Sequence, residues 1–427
     1  MKSIPIILKG VCIFSLLLLF NYVAFAQQNL DSLLKVRQAE QAKRLIIEDS
    51  LLAIERYERI NDLLQSPIDS IKKLTLTNLK IETLPDISVF SKAIFIDFRN
   101  NQIEKVQTKN WPDSDSLEKI ILSNNQIKKV RFKKSASVTT LDLSENELKR
   151  IPYSVRKLKN LKFLDVSKNH IKRIPCFLKK MDSLQELTIN YNQLKKLSKR
   201  DIKKFKNLKS IHMGANGLTH IPQNINELSE IETLNFGINS ISTLPATFSE
   251  LISLEHLIFY RNQFEEMPEE IWALKKLKQI DFYHNQIKKI PDAIGSLDSL
   301  LQIFLAYNKI EEIPDTIFKL KKLKALYIHH NKIVMVPKEI TQLNNLTYLD
   351  LGYNRIFEIP DLSALKNLME IDLQENTLSE FPYELTEIES LRKIYLMGNP
   401  FVMTKEERKE MEELSQELEG MGISLFF

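Results

Sequence analysis

Apolar and polar residues alternate in short bursts along most of this chain, and the bursts recur. The segments LKFLDVSKNHIKRIP (161–175), LKQIDFYHNQIKKIP (277–291), LKALYIHHNKIVMVP (323–337) and LTYLDLGYNRIFEIP (346–360) share the template L-x-x-L-x-L-x-x-N-x-I-x-x-I-P. Within it the x-L-x-L-x run has a period of two, which predicts a short strand with one buried face. The asparagine slot is filled by Asn101, Asn125, Asn146, Asn169, Asn192, Asn216, Asn239, Asn262, Asn285, Asn308, Asn331, Asn354, Asn376 and Asn399. Leu79 takes it in an earlier unit, LTLTNLKIETLP, which makes fifteen units. From Asn216 to Asn354 the spacing is 23 residues at every step.

Each slot has a physical reason. A connection long enough to bring the chain back beside itself makes successive strands parallel. After the strand the chain turns inward, and an asparagine amide, with two donors and an acceptor, can satisfy the backbone groups exposed there. Proline stands six residues after the slot in eleven units, fixing φ where the chain leaves on the far side. There apolar residues fall every third position, as in Ile271, Leu274, Leu277 and Ile280, which predicts a turn or two of 3₁₀ or α helix. No unit can bury its own apolar face, so the units must stack into a solenoid. At roughly 4.8 Å per strand the sheet would be on the order of 70 Å long.

Over about residues 68–400 these motifs resemble the leucine-rich-repeat family, in its 23-residue L-x-x-L-P subclass of bacterial proteins and small-GTPase-associated scaffolds. The resemblance implies an α/β solenoid: a horseshoe with a parallel concave β-sheet, short 3₁₀ or α convex segments and helical caps at both ends. It also implies a concave face that binds proteins or, less often, glycans.

The two ends read differently. In residues 1–26, Lys2 and Lys9, the apolar run VCIFSLLLLF and the small-residue site AFA form a secretory signal peptide, too short to span a bilayer comfortably. The expected location is therefore periplasm, cell surface or medium. Residues 27–67 read as an amphipathic helical cap on the first unit, with a projecting stalk or dimerising coil as the competing arrangement. Residues 401–427 read as a capping helix and a last strand: Thr404 and Glu407 form a capping box, Gly420 is placed to end the helix, and ISLFF follows. Cys176, the one cysteine left after the leader, reads as a small buried hydrophobe with no disulfide partner.

Function is sought at the variable positions beside the strand leucines, which the template places on the concave face. In the unit of Asn331 these are Ala325, Tyr327, His329 and His330. Neighbouring units add His256, Tyr260, Asp281, Tyr283, His284, Phe304, Tyr307, Tyr348, Asp350 and Tyr353, and the whole set is expected to grip a protein or peptide. Eight of the twelve tyrosines and five of the seven histidines fall on such positions, where a merely soluble surface would carry Lys and Glu. Tyrosine offers a wide apolar face and a polar tip at little entropic cost, which suits a binding hot spot. The bland alternative is that the rings only stabilise one another across strands. His284, His329 and His330 with Asp281 or Asp350 are suitable zinc donors, but His284 and His330 lie two units apart and adjacent histidines on a strand tend to diverge. No metal and no cofactor is expected.

Charge modifies this picture. Residues 101–210 hold 27 Lys and Arg against 11 Asp and Glu, a net of +16; residues 211–427 hold 20 against 33, a net of −13. Much of the excess sits in pairs after the asparagine: Lys128 and Lys129, Lys149 and Arg150, Lys172 and Arg173, Lys195 and Lys196. They read as a solvated flank or as a site for an anionic partner, such as acidic head groups or a glycan. Nucleic acid is not expected of an exported chain whose basic pairs lack interleaved aromatics. Nucleotide-binding, zinc-protease, hydrolase-elbow and calcium-loop motifs are all missing from the sequence, so the chain reads as a non-enzymatic binding module. A self-associating structural or surface scaffold, or a glycan-binding surface protein, is the alternative.

Overall fold

In the computed structural model each x-L-x run is a three-residue strand, and sixteen of them pair side by side, all parallel and in chain order, from Lys73–Thr75 to Ser424–Phe426. The residues described are 70–402 and 404–427; the expected signal peptide and N-terminal helices lie outside them. The register never slips: Gln279 pairs with Gln302, Gln302 with Ala325 and Ala325 with Tyr348. A one-residue slip would turn every strand leucine to solvent, so the buried face enforces this alignment.

The asparagines form a ladder along the inner edge of the sheet. Asn285 donates through Nδ2 to the carbonyls of Phe259 (3.0 Å) and Phe282 (3.0 Å), while its Oδ1 accepts from the Phe264 N–H at 3.1 Å. The same three contacts recur at Asn262, to Phe236, Phe259 and Ile241, and at Asn354, to Ile328, Leu351 and Ile333. Each amide thus ties its own turn to the one before. Leu79, in the first described unit, is fully buried, and Asn101 of the next unit accepts from both the Leu79 and Ile81 amides.

On the far side the prolines cap short 3₁₀ segments, as Pro268 caps Glu269–Ala273 and Pro291 caps Asp292–Ser296, with φ of −66° and −68°. Ile271, Leu274, Leu277 and Ile280 are fully buried beneath them. The unit between Asn262 and Asn285 buries seven apolar side chains, each contributing roughly 1.5–3 kcal/mol, so packing outweighs the few hydrogen bonds of so short a strand. Four units lack the proline, and one of them forms an α-helical turn instead of a 3₁₀ segment. Ser198 stands in the proline slot, and there a capping box with Asp201 starts a short α-helix, α1 (Lys199–Ile202).

The C-terminal segment forms a second helix, α2 (Lys405–Gly420), opened by the Thr404–Glu407 capping box and followed by the last strand, Ser424–Phe426, on the sheet edge. One sequence expectation is refined here and another corrected on the convex side. The helix ends at Gly420 as its last residue, but the left-handed turn that closes it falls at Gly422, φ +81°. The Gly422 N–H donates to the Glu419 carbonyl and Ile423 N–H to that of Leu418, a Schellman closure with Leu418 and Ile423 both buried. Cys176 is exposed, not buried, because it opens the 3₁₀ segment Cys176–Lys180, whose inward position belongs to Leu178.

Candidate functional site

The residue just before each ladder asparagine has a left-handed backbone. His284, Tyr307, His330 and Tyr353 have φ of 57°, 55°, 52° and 52°. This conformation ends the strand, turns the next residue inward as the ladder asparagine, and swings the preceding side chain up at the edge of the sheet. Because every unit repeats it, these four side chains rise in register. Their rings stack in sequence: His284 on Tyr307 at 5.8 Å, Tyr307 on His330 at 3.9 Å and His330 on Tyr353 at 4.1 Å, all within 20° of parallel.

A second row lies beside the first. Tyr283 meets Tyr307 edge-on at 5.2 Å, and His329 does the same at 5.3 Å. On the strands themselves Phe304 and Tyr327 stack at 4.8 Å. Tyr307, Tyr348, Tyr353 and His284 are exposed; Tyr283, Tyr327, His329, His330 and Phe304 are half-buried. Tyr260 stands apart from this cluster and lies flat over Gly237, where a Cβ would come within 2.1 Å of its ring. His256 is also separate, with Nδ1 3.3 Å from Gln279 Oε1.

Not every variable position is displayed. Ala325 is 1% exposed and Ala306 likewise, and Gly352 is buried. They still sit on the outer face, but larger side chains in register, such as Gln302 and Tyr348 on either side of Ala325, close over them. The histidines correct a second expectation. His329 and His330 converge, with Nδ1 atoms 2.8 Å apart, one ring donating to the other. The left-handed turn at His330 breaks strand alternation and brings both rings to one side. Among the described residues no group of three His, Cys, Asp or Glu is arranged to hold a metal ion.

The carboxylates have a role that the sequence reading missed. Asp281 accepts from the Tyr283 N–H (3.0 Å), Asp350 from Gly352 N–H (3.2 Å) and Asp372 from Gln374 N–H (2.9 Å). Asp142, Asp165 and Asn235 repeat the contact, so an acidic or amide side chain at this slot closes the turn out of the strand. The recurrence of Asp two residues before a turn was the available signal. Burial pushes the Asp281 carboxyl up to about 6; burial, then the Asp372 charge, pushes Asp350 up to about 7. Burial, then His330, holds His329 down at about 4. His329 Nε2 lies 3.7 Å from Asp350 Oδ2, too long for a hydrogen bond, and burial governs both groups. The strip is therefore aromatic with half-buried carboxyls beneath, and burial favours the uncharged imidazoles of His329 and His330.

The larger clefts lie elsewhere: one of about 550 Å³ by Gln102 and Lys105, another of about 510 Å³ by Lys196, His220 and Pro245. The aromatic strip is open sheet surface.

Two stretches match known families: residues 302–422 match a leucine-rich repeat region and residues 115–171 a leucine rich repeat. No curated protein matches. Among solved structures, a leucine-rich-repeat protein of Leptospira interrogans is 26% identical, covers 84% of each chain and superposes with a TM-score of 0.67. An internalin of Listeria monocytogenes is 18% identical over 81% of this chain and 94% of its own, TM-score 0.58. The Arabidopsis receptor kinase HAESA, solved with a peptide hormone and a co-receptor, is 24% identical over 78% of this chain and 59% of its own, TM-score 0.60. The chain carries leucine-rich repeats on a leucine-rich-repeat solenoid.

Proposed function

We propose that this chain is an exported, non-enzymatic binding protein of the 23-residue repeat type, whose concave Tyr/His strip takes an extended segment of a protein or peptide partner. The observation that carries this reading is the four-ring stack of His284, Tyr307, His330 and Tyr353, held at the surface by a backbone conformation that costs energy at non-glycine residues. Rings packed this way are ordered before any ligand arrives, so little entropy is lost on contact. An open strip suits a chain laid across successive strands better than a small molecule, which needs a cavity. The solenoid of HAESA, solved with a peptide hormone, supports this mode of use. Export rests on the signal-peptide reading, and among the described residues no helix is long and apolar enough to cross a membrane.

The test is selection of a random-peptide display library on the purified protein. Peptides enriched on the native chain should lose about tenfold or more in affinity on a Tyr283→Ser, Tyr307→Ser, Tyr327→Ser variant, since central aromatic anchors each contribute about 2 kcal/mol or more. Undiminished binding by the triple variant rejects this placement. Enrichment of oligosaccharides instead, on a glycan array, would move the reading to the glycan-binding alternative.

A further inference from the structure

The basic pairs stand in two columns along one flank of the solenoid. Four residues after the ladder asparagine, five successive units carry Lys105, Lys129, Arg150, Arg173 and Lys196; one position earlier, four carry Lys128, Lys149, Lys172 and Lys195. All nine are exposed. The units are locked in step at this point. Lys105 and Lys129 pair in register in a small parallel sheet of their own, and the amides of Glu147, His170 and Gln193 donate to the carbonyls of Ile127, Leu148 and Ile171. Cations therefore recur at the strand spacing of roughly 4.8 Å.

Like charges held directly opposite one another destabilise a sheet. Of the nine, only Lys128 has a carboxylate of the described residues within 4.0 Å, from Glu104 and Glu147. In the units of Asn262, Asn285 and Asn308 the same two columns alternate in sign instead: Lys288 pairs with Glu265 at 3.0 Å and Lys289 with Glu312 at 3.4 Å. The repeat can thus neutralise these slots, and among the nine basic residues it does so at Lys128 alone of the described residues. We infer that this flank is a second binding site, separate from the concave strip, for a linear anionic polysaccharide whose charges lie along the two columns.

A chain-like partner fits an array two cations wide and five units long. A bilayer fits less well. The large apolar side chains exposed between residues 101 and 210 are Tyr153, Phe163 and Tyr191, and none stands in either column to insert among lipids. Tyr153 lies under the Arg156 guanidinium, 4.0 Å from its ring centre. Stacking platforms for unpaired bases are likewise missing from the columns.

A labelled polyuronate chain is the probe, titrated against the full-length mature protein across a salt series. The wild type should bind it at low salt and release it as salt rises. A Lys149→Gln, Arg150→Gln, Lys172→Gln, Arg173→Gln variant should bind about tenfold more weakly or worse, with a flatter salt dependence. Its thermal midpoint should rise at low salt and match the wild type at high salt, because repulsion within the columns is relieved. The Tyr283, Tyr307, Tyr327 triple serine variant should bind polyuronate normally, which separates failure here from failure of the concave-strip reading. No binding by the wild type, or equal binding by the quadruple variant, overturns the site. Tighter binding of phosphatidylglycerol vesicles or of single-stranded RNA than of polyuronate overturns the choice of partner.

Discussion

Single residues on the outer face answer to two demands at once. The slot before the ladder asparagine must accept positive φ, and Asn, Glu, Lys, Ala, Ile, Arg, His and Tyr all do so here. Ile238, β-branched at φ 54°, pays the highest steric cost of these. Sequence showed which residues are outward but not this conformation, so it placed His329 and His330 on diverging sides. It also could not show that Ala325 is overgrown, since that depends on the size of side chains in the flanking units. Asp350 illustrates how such detail becomes measurable. Its folded carboxyl is pushed up to about 7, against 3.8 ordinarily. The native state then holds a proton that the unfolded chain has released between about pH 4 and 7, so its contribution to stability falls as pH rises through that window. Asparagine at this position does not titrate and can still accept from the Gly352 amide. An Asp350→Asn variant should match the wild type in thermal unfolding at pH 4 and exceed it at pH 8 by up to about 4 kcal/mol. A difference independent of pH would mean that the carboxyl is not perturbed in the folded state.

At the scale of the repeat element nearly everything was legible. The period-two run, the asparagine slot and the proline six residues on each map to a strand, a ladder bond and a capped 3₁₀ segment. The ladder's energetics were less visible, because they depend on who else shares each acceptor. The Phe259 carbonyl accepts from both Asn262 and Asn285, and that of Phe282 from both Asn285 and Asn308. Removing one asparagine therefore strips each carbonyl of one donor and leaves it another. The Phe264 N–H has no such second partner on the ladder and would be orphaned in a dry interior. Asn285→Ala should accordingly cost about 2–3 kcal/mol, one buried unsatisfied donor plus two weakened acceptors, rather than the sum of three lost bonds. Chemical denaturation gives the number. A loss under about 1 kcal/mol would show that water or backbone movement replaces the amide.

Across the whole array the same 23-residue spacing that made the fold readable separates structure from recognition. The core is a column of repeated contacts; within it Phe236, Phe259 and Phe282 touch along successive units with centroids 5.7–5.8 Å apart. The residues displayed on the open sheet face, by contrast, differ from unit to unit and cannot be inferred from the template. Deleting residues 286–308 removes one full period and joins Asn285 to Lys309, so every strand leucine, ladder asparagine and convex apolar position keeps its slot. In a solenoid whose stability is a sum of unit and neighbour terms, such a chain should fold, with native-like circular dichroism per residue and a modestly lower midpoint. It would lack Phe304 and Tyr307, and His284 would lie beside His330 without the tyrosine that now separates them. Peptide capture on the concave strip should then fall about tenfold or more, while polyuronate binding on the basic flank, several units away, stays unchanged. Loss of cooperative unfolding would show that the units are not interchangeable. Retained peptide capture would show that the rings stack for stability alone, with no partner on that face.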